Sequence, residues 1–164
     1  KPDEFYRSEG LVSEAEALTG VGSVPITGCR FDTDRGSKRG RFYLYCRQNG
    51  LWCNEVVGYH PNDAPERFTQ YCPVRNVTDK YPPTMLLHGD QDTDVPHEQS
   101  IAMANELQRH GVECDLRILK SMGHGFDFEQ EGDKWKRNDD PRVADAFEEV
   151  LVFLKKHISD PEMQ

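Results

Sequence analysis

The stretch YPPTMLLHGDQDTDVPHEQS, residues 81–100, carries in order a strand, a sharp acidic turn and the start of a helix. Thr84-Met85-Leu86-Leu87 is short and continuously apolar, as expected of a strand covered on both faces in a parallel sheet. It runs into His88-Gly89-Asp90, where the chain must turn. Residues 97–109 have helix-forming composition, with Ile101, Ala104 and Leu107 near one face and Gly111 placed to close the helix.

Working downstream, residues 114–119 alternate enough to form a second strand, and residues 121–126 follow as a loop. Then comes the clearest element. Asp140 can cap a last helix and Pro141 suits its first position, where a missing N–H costs nothing. Val143, Phe147, Val150, Leu151, Leu154 and Ile158 recur at the spacing of one buried face. Strand, helix, strand, helix implies a parallel pair and a right-handed crossover, hence an α/β fold with parallel strands and flanking helices. Two strands do not make a stable sheet by themselves, and the sequence offers no convincing third. Part of the sheet is therefore expected from outside these 164 residues, and Lys1 is read as the result of trimming or processing.

Upstream the character changes. Eleven of the sixteen aromatics lie at or before Tyr81, among many turn residues, and this part reads as short helices and loops. Ser13-Glu14-Ala15-Glu16 is a capping-box signature for a helix ending near Leu18. A second helix is expected over 37–48, with Asn49-Gly50 suited to its end, and Asp63 precedes Pro65 as a further cap. The polar run 30–40 reads as an exposed loop. A net charge of −9 repels phosphate backbones and argues against nucleic acid as a partner. No run approaches the ~18 apolar residues of a membrane-spanning helix. Five cysteines without CxxC or zinc spacing point to reduced thiols, and so to a cytoplasmic protein.

Residues 81–100 resemble the acid turn of α/β-hydrolases of the prolyl-oligopeptidase, dienelactone-hydrolase and carbohydrate-esterase type, whose pattern is HGxxDxxVP. His88-Gly89 opens the motif, Asp92 falls on the triad acid, and Val95-Pro96 ends it. Gly123-His124-Gly125-Phe126 is similar to the family's histidine loop, which makes His124 the triad base. The resemblance implies a soluble serine hydrolase of carboxylesterase or peptidase type that acts on esters or peptide bonds and needs no cofactor or metal. It implies two segments: 1–75 as a cap insertion of helices and loops, and 76–164 as the C-terminal part of the hydrolase. Arg41, Tyr45 and Trp52 are then candidates to line a substrate pocket.

The residue types fit the chemistry. An imidazole can take and return a proton near pH 7, and a carboxylate on its other nitrogen fixes the tautomer and stabilises the imidazolium. Set against this, the family's G-x-S-x-G nucleophile turn occurs nowhere in the sequence, and Gly22-Ser23 and Gly36-Ser37 follow no apolar strand. The serine is expected from a missing N-terminal half or from another chain. The alternative is a catalytically inactive binding or structural module built on the hydrolase scaffold. Asp90-x-Asp92-x-Asp94 also suggests a calcium loop, but Val95 and Ile101 stand where that template needs Gly and Glu.

Overall fold

A computed structural model describes residues 4–22, 38–131 and 134–158, and the backbone forms two compact units, Lys1–Thr69 and Gln70–Gln164. Ser23 and Ser37, Cys29 and most of the polar run 30–40 lie outside the described residues.

The first unit is built from short helices: α1 (Glu4–Arg7), α2 (Glu14–Leu18), α3 (Lys38–Asn49), α4 (Trp52–Val57) and α5 (Pro65–Phe68). Helices of four or five residues are not stable alone in water. Here α1 and α2 are held by packing on α3, where Tyr6, Val12, Ala17 and Leu44 form a buried cluster lined by Phe42, Tyr43 and Tyr45. Gln48, 1% exposed, ties the same segments together. Its Oε1 accepts from the Val12 amide at 3.0 Å, and its Nε2 donates to the carbonyls of Tyr6 and Gly10 at 2.9 and 2.8 Å. Ser13 caps α2 by accepting from the Glu16 amide, as expected, but Glu16 does not complete the box. Its carboxylate meets Arg41 at 2.7 Å instead, a charged partner that outcompetes an exposed amide. Asp63 is not a cap: Ala64 holds that position before α5, without a side-chain bond. Helix α3 begins at Lys38, as expected of the helix over 37–48, and so takes in the last residues of the polar run 30–40.

In the second unit, strands β1 (Thr84–Gly89) and β2 (Cys114–Leu119) pair in parallel, with Thr84 opposite Cys114 and Gly89 opposite Leu119. Helix α6 (Glu98–Arg109) connects them, burying Ala104 and Leu107. Leu107 packs with Val77 and Val112 to form the local core. Alternate strand residues face opposite sides. His88 of β1 bonds to Ser100 of α6, whereas Met85 lines a groove with Val152 and Phe153 of the last helix, α7 (Pro141–His157). The two helices therefore flank the strand pair on opposite faces.

Two expectations fail in this unit. A hairpin of β3 (Phe128–Glu131) and β4 (Lys134–Arg137) precedes α7 where none was foreseen. Its sequences FEQE and KWKR are too charged for a strand signal, and Lys136 pairs across it with Glu129 and Glu131. The buried face of α7 is also rotated. Val143, Ala146 and Phe153 are buried, whereas Phe147, Leu151, Leu154 and Ile158 are 40–66% exposed. The apolar arc is wider than its packing on β1 needs, and α7 meets β2 through an ion pair of Glu149 with Arg117. Among the described residues no helix is long and apolar enough to cross a membrane.

Candidate active site

The site begins with the way two loops are joined. The β1–β2 ladder continues one step past the strands, the Asp90 amide donating to the Leu119 carbonyl at 3.1 Å. Gln91 N–H then reaches the Met122 carbonyl at 2.9 Å, and the Ser121 amide donates to Asp90 Oδ1 at 2.6 Å. Ser121 accepts a left-handed backbone, φ 60°, to make that bond. The loop after β2 is fastened at both ends as well: Arg142 donates to the Lys120 carbonyl and Asn138 to that of Phe126, both at 2.8 Å. Parallel strands deliver both loops to the same sheet edge, where open α/β folds place their ligands.

Asp92 and His124 meet at this edge. His124 Nδ1–H donates to Asp92 Oδ2 at 2.9 Å. The carboxylate is 7% exposed and the imidazole 56% exposed, so the pair has a buried acid and an open base. The Asp94 and Val95 amides, each at 2.8 Å, occupy Asp92 Oδ1. Burial pushes the Asp92 carboxyl up, but the Val95 amide, His124 and the Asp94 amide outweigh it and hold it below its ordinary value. The hydrogen bond that His124 donates to Asp92 raises the imidazole against the opposing effect of burial, with the charges of Asp92 and Asp94 adding to it. Because Nδ1 carries the proton toward Asp92, the lone pair of Nε2 is free to accept one.

A cavity of about 270 Å³ opens beside the pair, lined by Leu87, Val95 and Phe126 and by the glycines of both loops. Two of the three carboxylates of the suggested calcium loop are spent on protein donors: Asp92 on amides and imidazole, Asp90 on the Ser121 amide.

One residue at the site was read only as part of a turn. His88 Nε2 lies 3.1 Å from Asp92 Oδ2 and 2.9 Å from the Val95 carbonyl, and its Nδ1 lies 2.8 Å from Ser100 Oγ. The H of HGxxDxxVP was the available signal, but a lone strand-end histidine carries no periodicity that assigns it a role.

Arg41, Tyr45 and Trp52 belong to the first unit, and their observed partners lie within it. Arg41 pairs with Glu16, Tyr45 packs on the Tyr6 cluster, and Trp52 stands edge-on to Tyr43 at 5.2 Å.

A parallel strand pair with a carboxylate and an imidazole in hydrogen-bond contact at the ends of successive strands is the architecture of an α/β-hydrolase. The prolyl oligopeptidase family model matches residues 43–160, and the chain belongs to that family. Among curated relatives, the non-reducing polyketide synthase prhL of Penicillium brasilianum is 31% identical over 60% of this chain and 4% of its own length. Acylamino-acid-releasing enzyme 1 of rice, Oryza sativa subsp. japonica, is 28% identical over 57% of the chain and 11% of its own length. Esterase LipC of Mycobacterium tuberculosis is 27% identical over 73% and 27%. A solved structure described as a truncated form of carbohydrate esterase from gut microbiota aligns with a TM-score of 0.46 at 22% identity, over 59% of this chain and 31% of that one. The chain thus spans a small fraction of each of these proteins.

Proposed function

We propose that this chain supplies the general base and its orienting acid to a Ser-His-Asp hydrolase that cleaves carboxylic esters, with peptide or acyl-amino-acid bonds as the second substrate class. The observation that carries the reading is the 2.9 Å contact from His124 Nδ1 to a buried Asp92, which leaves Nε2 outside that bond in an exposed ring that lines a cavity. Two relatives are named for acyl cleavage, an esterase and an acylamino-acid-releasing enzyme.

In this mechanism Nε2 of His124 takes the proton from a serine hydroxyl as the oxygen attacks the substrate carbonyl. It then returns that proton to the departing alkoxide or amine, and Asp92 stabilises the imidazolium formed in between. The chain has no G-x-S-x-G turn, so the serine and the oxyanion donors come from residues outside it. Residues 1–75 would serve as a cap, with Arg41, Tyr45 and Trp52 as its candidate substrate contacts.

The test is hydrolysis of short p-nitrophenyl esters by a protein that joins this chain to a serine-bearing N-terminal half. His124→Ala is expected to lower kcat on the order of 10⁶-fold and Asp92→Asn roughly 10⁴-fold. Turnover undiminished in the His124 variant would sink the reading and favour an inactive scaffold.

A further inference from the structure

Asp92 has a second imidazole on the oxygen that receives His124. The Val95 carbonyl can only accept, so Nε2 of His88, 2.9 Å away, must carry a proton. That N–H is shared with Asp92 Oδ2 at 3.1 Å. In the neutral ring Nδ1 then accepts from the Ser100 hydroxyl at 2.8 Å, a group that can serve either way, so the tautomer is set by the Val95 carbonyl and supported from α6. With the Asp94 and Val95 amides on Oδ1, all four acceptor positions of the carboxylate are taken. Two of the four donors are histidines.

We infer that His88 is a positioning residue that acts through Asp92: by occupying one lone pair of Oδ2, it limits how strongly the carboxylate can hold the His124 imidazolium. A carboxylate with fewer competing donors is more basic and grips the imidazolium more tightly, which delays the return of the proton to a leaving group. The inference rests on the hydrolase reading for its catalytic meaning. Its physical content, a coupling between two rings through one oxygen, can be measured without turnover.

The ionisable residues lining the cavity are His88, Asp92 and His124, and Asp94 adds its charge to His124 from the acid loop. Ser100 faces His88 from α6, and Asp90 is engaged by the Ser121 amide of the histidine loop. Asp92 is the group through which His88 and His124 meet.

Proton–nitrogen NMR of the histidine rings in the whole chain reads both tautomer and titration. His88 is expected in the Nε2–H form. In His88→Leu, Asp92 keeps its two amides and loses the competing donor, so the His124 midpoint moves to higher pH. In His88→Gln, whose amide nitrogen reaches toward the ε position, the midpoint returns toward wild type. Ser100→Ala, a substitution that favours the helix, is expected to move it in the same direction as His88→Leu by less.

A His88 ring found as the Nδ1–H tautomer overturns the inference. So does a His124 midpoint that stays put in His88→Leu, or one that falls, since a fall means the loop has merely lost its shape. If His88→Leu does not fold, the wild-type tautomer and the Ser100→Ala shift decide. In the joined, active protein the acidic limb of kcat/KM should follow the ring titration. Absent turnover with an intact ring shift would refute the hydrolase reading and leave the coupling standing. Normal turnover without the shift would do the reverse.

Discussion

Gly89 ends β1 where a side chain has no room. A Cβ built there would lie 2.2 Å from the Met122 carbonyl oxygen and 2.6 Å from its carbon, both backbone atoms of the histidine loop. The close approach lets the Gln91 amide reach Met122 and brings His124 to Asp92. Gly89→Ala is therefore expected to cost about 1–3 kcal/mol or more, because the clash is with backbone that cannot rotate away. A urea titration would show the loss, and the His124 midpoint should fall toward its ordinary 6.5 as the loop is pushed from Asp92. A variant with unchanged stability and unchanged midpoint would mean the loops are not in contact. At this scale Asp92 and His124 stood out in the sequence because each sits in a short pattern after an apolar strand. His88 did not: its importance lies in hydrogen bonds to residues 4, 7 and 12 positions away, a relation that no local pattern encodes.

Among the elements, the one most dependent on a single side chain is the α1–α2 pair. Gln48 bonds three main-chain groups, the buried Val12 amide and the carbonyls of Tyr6 and Gly10, and so holds the segment between the two helices to α3. Gln48→Leu keeps the volume and removes all three bonds, so a loss of roughly 1–3 kcal/mol is expected, chiefly from the buried Val12 amide left without an acceptor. Limited proteolysis checks it: cleavage within residues 4–22 should accelerate while the second unit resists as before. Strands β1 and β2, helices α6 and α7, and the caps at Ser13 and Asp140 were legible because hydrophobic period and capping chemistry are local signals. Asp140 accepts from the Arg142 amide at 2.9 Å with Pro141 between them, as its sequence suggests. The hairpin β3–β4 was invisible because cross-strand ion pairs, not alternation, mark it. α4 gave no warning either: Leu51 precedes it without a side-chain cap, and none of its residues is buried.

For the whole molecule, the fold class was readable and the extent of its core was not. Parallel pairing follows from strand, helix, strand, helix, and the structure bears it out with two strands in register. The apolar stripe of α7 predicted a buried face, yet Phe147, Leu151, Val152, Leu154 and Ile158 remain exposed. Periodicity reports how much apolar surface a helix offers, not how much of it a given chain covers. β1 likewise has β2 as its one strand partner among the described residues. Both features accord with a chain that spans a small part of each relative's length. The proposed chemistry needs less than the whole fold: a buried carboxylate, an open imidazole and the bond between them.

The titration of His124 tests that bond most directly. With Asp92 ionised beside it, the imidazole holds its proton above the ordinary 6.5, so the pair adds stability below pH 6.5 and loses it as pH rises through the raised value. On the acid side the contribution from Asp92 is present above 3.8 and lost as pH falls through the carboxyl's lowered value. Base catalysis by His124 should appear on the same rise in pH that removes this stabilisation, since only the neutral ring accepts a proton. Followed by ring NMR, the wild-type His124 midpoint is predicted to lie above 6.5 and to drop in Asp92→Asn with the fold intact. A midpoint identical in the two proteins would contradict the acid–base pair.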